Sequence, residues 1–268
     1  MENPKYRLCA IDLDETLLNS EHEISARNLR AVNAIRELGV KVVVASGRMH
    51  ESALPYVRQL GLETPIISYN GAMVKEVESG AVWMQQQIPS EYANIVMDFC
   101  RERKLQLNYY LNDKLHTESY TNWLKLYHGR TKAPLEINPN FYEDLRDKPP
   151  IKLIIVDTPE YTSSLVSYFR EIFGEEIYVT KSTDEYLEFM PKRANKGSAL
   201  ALVAERFGIS AEETIAFGDS YNDIPMLEWA GLSVAVANAK ADVRAMAKKI
   251  TSSNDEEGVG KALEEIFG

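Results

Sequence analysis

Two aspartates stand one residue apart where an apolar run ends, in Ala10-Ile11-Asp12-Leu13-Asp14-Glu15-Thr16. The stretch from Tyr6 to Ile11 reads as a buried strand, and residues i and i+2 of a strand point to the same face. Like charges held together at a strand end cost free energy unless a metal ion or a shared proton relieves them. Other polar groups follow other predicted strands. Ser46-Gly47-Arg48 follows Val42–Ala45, Tyr69-Asn70-Gly71 follows Pro65–Ser68, and Gly218-Asp219-Ser220-Tyr221-Asn222-Asp223 follows Thr214–Phe217. Lys196 opens the helix that leads into that last strand, beside the positive end of a helix dipole where a lysine is otherwise unfavourable. In an open parallel sheet, ligands collect outside the carboxyl ends of the strands. Oxygen-only donors with open positions suit Mg²⁺, and a lysine with a Ser-Gly turn suits a phosphoryl group.

The elements that must position these residues alternate strand and helix at both ends of the chain. Leu29, Val32, Ile35 and Leu38 recur at near-helical spacing before Gly39, and Val42-Val43-Val44-Ala45 is a β-branched run of the kind buried on both faces. A second helix is predicted to end near Leu60-Gly61. After Pro191 the alternation returns: a helix from Lys196 carries Leu200, Val203 and Phe207 to Gly208, and Ser210 with Glu213 has capping-box spacing before the Thr214 strand. Leu232 to Val236 is another strand, followed by a helix near Ala241 to Lys248. Such alternation implies a parallel sheet.

Between these ends the pattern changes. Ala72–Val77 and Ala81–Gln87 flank a hairpin signal at Glu78-Ser79-Gly80. A helix over Tyr92–Arg103 leads to strands Leu105–Leu111 and Lys114–Thr117 joined at Asn112-Asp113. Then come a strand over Ile151–Val156, a helix around Tyr161–Phe173, and strands Ile177–Thr180 and Tyr186–Phe189. Thr131–Pro150, rich in Pro, Asn and charge, is predicted as loop. The fold class is therefore α/β, with a parallel-sheet domain split in sequence (1–84 and 184–268) around an α+β insertion (85–183).

Composition bounds the partners. The 268 residues are 45% hydrophobic and 26% charged, with a net charge of −10, which disfavours nucleic acid and anionic membrane surfaces. No run approaches ~18 consecutive apolar residues, and Met1-Glu2-Asn3-Pro4-Lys5 lacks the apolar stretch of a signal peptide; a cytoplasmic protein is expected. Cys9 and Cys100 are expected as unpaired small apolar residues. The histidines, His22, His50, His116 and His128, show no ligand-like pairing and are expected at the surface or its boundary. Tyr109, Tyr110, Trp123 and Tyr127 are expected to pack the inserted domain rather than to line a pocket. Arg48 either pairs with a neighbouring carboxylate or touches ligand.

The motifs at Asp12–Thr16, Ala45–Arg48, Tyr69–Ala72, Asn195–Gly197 and Gly218–Asp223, with Ala237-Asn238-Ala239 and Ser253–Val259 in the tail, resemble the haloacid dehalogenase-like (HAD) superfamily in its Cof-type branch. The resemblance covers nearly the whole chain. It implies a Rossmann-like, HAD-like core with an inserted Cof-type cap that closes over the site, excluding water and choosing the leaving group. It implies a phosphatase for small phosphorylated metabolites, sugar phosphates first. A phosphomutase or phosphotransferase sharing the intermediate, and a non-catalytic phosphometabolite sensor, are the alternatives. Asp12 would be the nucleophile that forms an aspartyl-phosphate and Asp14 the acid, then base. Mg²⁺ would be held by Asp12, the Asp14 backbone carbonyl and Asp219, with Asp223 a direct ligand or one step removed. Leu13, Ser46, Gly47, Lys196 and Asn222 would hold the phosphoryl group. Two positions depart from the family pattern: Glu15, where Gly is commoner, is expected to be tolerated in a turn, and Ala237, where Gly often precedes Asn-Ala, bears on backbone geometry rather than chemistry. Oligomeric state is open, with a monomer the simpler expectation.

Overall fold

The computed structural model describes residues 4–131 and 133–268, so the first three residues of the amino-terminal reading and Lys132 in the predicted loop lie outside the described residues. The chain forms two compact units, one made of the segment up to Met84 with Asn195–Gly268, the other of Gln85–Ala194.

The first unit is built on a five-stranded parallel sheet in the spatial order Lys249–Ile250, Leu232–Ala235, Thr214–Gly218, Leu8–Ile11, Lys41–Val44. Leu8–Ile11 lies at its middle, pairing Ile11 with Phe217 on one side and with Val44 on the other. A parallel bridge from Ala45 to Ile67 ties on Ile66–Ser68, which continues with Met73–Lys75 and Val82–Gln85 as a small second sheet. The central run is buried throughout: Leu8, Cys9, Ala10 and Ile11 expose no surface, as expected for a parallel strand covered on both faces. Helices Ala26–Glu37 and Gly258–Phe267 pack on each other, as do Lys196–Phe207 and Ile224–Trp229. Ser25 caps the first helix by accepting from the Asn28 N–H, and Gly39 follows its end at φ +86°. After Leu8–Ile11 the chain adds strands on one side of it, and after Gln85–Ala194 on the other. The order of strands therefore reverses between Leu8–Ile11 and Thr214–Gly218. Crevices at such reversals are where open α/β sheets bind ligands.

The second unit carries a six-stranded sheet in the order Ile177–Thr183, Tyr186–Pro191, Lys152–Val156, Gln106–Leu111, Lys114–Thr117, Leu135–Ile137. Its pairs are antiparallel except the last, which is parallel. Alternate residues Leu107, Tyr109, Leu153, Ile155, Leu187 and Phe189 form a core with Val96, Met97, Phe169 and Phe173 of helices Ser90–Arg103 and Pro159–Phe173. The intervening residues include Asn108, Lys152 and Glu188, buried on the other face, where Lys152 pairs with Glu188 at 2.8 Å. Asn112 and Asp113 both take positive φ, 51° and 58°, as a two-residue hairpin of this kind requires.

Several expectations are corrected. The sequence boundary at 183/184 falls inside a hairpin: Tyr186–Pro191 pairs with both Ile177–Thr183 and Lys152–Val156, so the second unit runs on to Ala194. The predicted loop contains a short strand, Leu135–Ile137, and a helical turn, Phe141–Asp144. Two aromatic residues, Phe141 and Tyr142, are buried there and outweigh the polar composition around them. The helix Asn122–Thr131 and the last helix, Gly258–Phe267, had no sequence assignment. Ser210 and Glu213 close a turn rather than a helix, with the Glu213 carboxylate accepting from the Ser210 N–H at 3.0 Å. His50 and His116 are buried, not at the boundary; the His116 ring Nε2 meets the Leu111 carbonyl at 3.2 Å. Cys9 and Cys100 are buried free thiols, and burial pushes both thiols up.

Candidate active site

The strand stops at Ile11, and Asp12 is extended, its N–H bonded to the Phe217 carbonyl at 3.1 Å. A wide turn over Leu13–Leu17 follows, closed by Leu17 N–H to Asp12 C=O (3.3 Å) and Leu18 N–H to Leu13 C=O (2.9 Å). Because the chain turns here, Asp12 and Asp14 do not share a strand face. The Asp12 side chain is 6% exposed and the Asp14 side chain 42%. Glu15 sits at φ 59°, a left-handed conformation that costs a side-chain-bearing residue roughly 1–2 kcal/mol, which explains why glycine suits that position.

Asp12, Lys196, Asp219 and Asp223 come together from distant parts of the chain. Lys196 exposes no surface, and its Nζ lies 2.6 Å from Asp12 Oδ1 and 2.6 Å from Asp223 Oδ1. Burial alone would depress its ammonium, but Asp12 and Asp223 more than offset that and hold it above the ordinary lysine value. Its helix is capped by Asn195, whose side-chain oxygen accepts from Ser198 N–H at 2.8 Å. The second oxygen of Asp223 accepts from the N–H groups of Asp219 (2.9 Å) and Ser220 (3.0 Å), folding the loop around it. That fold needs Gly218, since a Cβ there would meet the Asp223 Cβ at 2.5 Å. Asp219 is buried, its Oδ1 accepting from the Thr16 hydroxyl at 3.1 Å.

Three carboxylates thus gather around one ammonium that bonds two of them, Asp12 and Asp223. Burial, reinforced by Asp223 and Asp219, pushes the Asp12 carboxyl well above its usual range despite Lys196. Burial and the neighbouring Asp223 raise Asp219 to about 7, with Thr16 and Lys196 pulling the other way. Oxygens of Asp12, Asp219 and Asp223 lie within 4.8 Å of one another. Among the described contacts, Asp12 and Asp219 each keep one oxygen uncommitted, whereas both oxygens of Asp223 are engaged. Buried excess negative charge on oxygen donors is the setting that fits a hard divalent cation.

The remaining candidates surround this cluster less tightly. Ser46 is buried and its Oγ accepts from the Arg48 N–H at 3.1 Å. Gly47 lies against Asn70, whose Oδ1 would be 2.8 Å from any Cβ at 47. Asn222 is exposed and donates from Nδ2 to that same Asn70 oxygen at 3.0 Å. Asp14 stays outside the carboxylate cluster and pairs with Arg48 through both oxygens, at 2.6 and 2.9 Å. Of the two options for Arg48, the carboxylate pairing is the one present. Leu13 is buried in the first turn.

Thr16, Asn70, Asn238 and Asn254 were missed as supports. Asn238 Nδ2 donates to the Glu15 carbonyl at 2.7 Å, Asn254 Nδ2 to the Leu18 carbonyl at 3.0 Å, and Asn254 N–H to Asn238 Oδ1 at 3.0 Å. The two tail motifs therefore brace the turn after Asp12. The only signal for them in sequence was their presence in the motifs. Ala237 takes an ordinary negative φ, so glycine is not required there.

The sequence profile of the haloacid dehalogenase-like hydrolases matches residues 9–263. A solved structure from Thermotoga maritima is 35% identical with a TM-score of 0.91, covering 98% of this chain and 98% of its own. A haloacid dehalogenase-like hydrolase from Bacteroides thetaiotaomicron is 32% identical with a TM-score of 0.91, over 98% of this chain and all of its own. A Bacillus subtilis relative named 5-amino-6-(5-phospho-D-ribitylamino)uracil phosphatase is 28% identical across 100% of this chain and 99% of its own length. An α/β hydrolytic enzyme is the class that fold and site define. The chain belongs to the haloacid dehalogenase-like hydrolase family. Among the described residues, no helix is long and apolar enough to cross a membrane.

Proposed function

We propose that this protein is a divalent-metal-dependent phosphatase acting on small phosphorylated metabolites through an aspartyl-phosphate on Asp12. The observation that carries this is the buried Asp12–Lys196–Asp223 array beside Asp219, at the reversal point of a parallel sheet. A nucleophilic carboxylate needs its charge neutralised before it can approach a phosphoryl group. Lys196 supplies one positive charge at hydrogen-bond distance. Asp12 and Asp219, each with an uncommitted oxygen, would hold a cation such as Mg²⁺ together with the Asp14 backbone carbonyl, while Asp223 fixes Lys196 and the Asp219 loop. When bound, such a cation would offset the negative charge that the phosphoryl group shares with Asp12.

An oxygen of Asp12 attacks phosphorus as the ester oxygen leaves, and Asp14 gives that oxygen its proton. Water then attacks phosphorus, Asp14 takes the water's proton, and the P–O bond to Asp12 breaks with its electron pair returning to the carboxylate. The burial of Asp12 and the exposure of Asp14 suit these roles, since only Asp14 must exchange protons with leaving group and water. Ser46, the Gly47 N–H, Lys196 and Asn222 would orient the phosphoryl oxygens. The phosphorylated polyol named for the Bacillus subtilis relative supports a phosphorylated sugar or sugar-like alcohol as the leaving group's source.

A panel of phosphorylated metabolites with Mg²⁺ tests this: inorganic phosphate is released, chelator stops the release, and Mg²⁺ restores it. Absence of hydrolysis across a broad panel, with ligand-induced stabilisation alone, would make the protein a binder instead. Hand-over of all phosphate to an added alcohol would make it a transferase.

Burial of the carboxylates makes cation binding depend on pH. Metal-free Asp219 binds its proton up to about 7 when folded, against 3.8 for the ordinary group. Between those values the folded state carries more protons than the unfolded state, so this group's contribution to stability falls as pH rises through that window. A cation must displace the protons that burial holds on Asp219 and on Asp12, so Mg²⁺ is expected to raise the melting temperature less near pH ~5 than near pH ~8. Stabilisation that is equal at both, followed by scanning fluorimetry, contradicts a site at Asp219.

A further inference from the structure

We infer that Arg48 is a positioning residue that acts through Asp14, an assignment that rests on the proposed hydrolytic reading and extends it. Asp14 lies on the turn after the first strand with a side chain 42% exposed, a place where an unrestrained carboxylate samples several rotamers. Arg48 removes that freedom. Its Nη2 donates to Asp14 Oδ1 at 2.6 Å and its Nε to Oδ2 at 2.9 Å, a two-point clamp on a planar group.

The clamp is itself held from three directions. The guanidinium carbon lies 4.8 Å from the centre of the Tyr56 ring, and Nη1 reaches the Tyr56 hydroxyl at 3.4 Å. The Arg48 N–H donates to Ser46 Oγ at 3.1 Å, and its carbonyl accepts from the Tyr69 N–H at 2.8 Å. Arg48 therefore fixes the Asp14 carboxylate relative to the Ser46-Gly47 turn, and so relative to the groups proposed to hold the phosphoryl oxygens. A carboxylate offers about four lone-pair sites, and the two bonds to Arg48 leave about two for the proton that Asp14 gives or takes. Lysine keeps the charge but not the fork, so it reproduces one point of the clamp at most.

A double-mutant cycle tests this in the full-length protein with Mg²⁺ and a phosphate ester that the wild type hydrolyses. Arg48→Gln is expected to lower kcat by ~10²-fold, the scale of a misplaced catalytic group, with KM little changed. Arg48→Lys should recover part of that loss. Because Arg48 acts only through Asp14, Arg48→Gln added to Asp14→Asn should cost no further activity. Additive losses, or a rise in KM with kcat intact, would overturn the assignment while leaving the hydrolytic reading standing. A wild type that hydrolyses no ester overturns both.

Discussion

Asp12→Asn is expected to lower kcat by at least roughly 10⁴-fold, the range seen when a residue essential to covalent catalysis is removed. The substitution keeps shape and retains an oxygen that can accept from Lys196, which lies 2.6 Å from the native carboxylate. It also takes one charge out of a buried set of three carboxylates, Asp12, Asp219 and Asp223, beside an ammonium that bonds two of them. The variant should therefore melt no lower than the wild type in the absence of metal. Loss of turnover in a fully folded protein, seen together by phosphate release and thermal denaturation, is what separates a nucleophile from a structural carboxylate. Full activity in Asp12→Asn would remove Asp12 from the mechanism.

Lys196→Met carries the second large effect, and here stability and activity fall together. The ammonium is completely buried and serves two carboxylates at 2.6 Å each. Methionine fills similar volume but leaves both acids without their cation, and breaking a buried pair in this way costs about 3–5 kcal/mol. Carboxyls without a cation favour the protonated form. The folded variant then binds more protons than its unfolded chain, so its stability deficit shrinks as pH falls and is largest at neutral and alkaline pH. Urea titrations at about pH 5 and about pH 8 read this directly, and a deficit that is the same at both would contradict it. Activity should drop by ~10²–10³-fold or more, as for the loss of a preorganised charge-stabilising donor. Mg²⁺ should restore part of the stability, since it can answer the same uncompensated charge.

The parts of this fold legible in sequence are those written in local pattern. Leu8–Ile11 and Lys41–Val44 are apolar or β-branched runs of the length of a buried strand, and the polar residues that follow each were readable as the mouth of a sheet. Asp12, Lys196, Asp219 and Asp223 could be picked out because each sits at a strand or helix end beside a glycine or a turn. What escaped depends on partners far away in the chain. Nothing near Thr16 announces that its hydroxyl meets Asp219, 203 residues on. Nothing near Asn254 announces the Leu18 carbonyl, 236 residues away. The i, i+2 argument for Asp12 and Asp14 does not describe their geometry, because the strand ends at Ile11 and the turn sends the two carboxylates into different surroundings. The second domain boundary failed similarly: Tyr186–Pro191 reads as a strand either way, and only its pairing shows which sheet owns it.

The most direct test of Asp12 as phosphoryl acceptor is to stop turnover in acid and reduce the trapped protein with borohydride, which converts an acyl phosphate on aspartate to homoserine. Peptide mass spectrometry should then find homoserine at position 12 in wild-type protein mixed with substrate and Mg²⁺, and none when substrate or metal is withheld. Steady phosphate release with position 12 unmodified at every quench time, or with the modification on another residue, would contradict it.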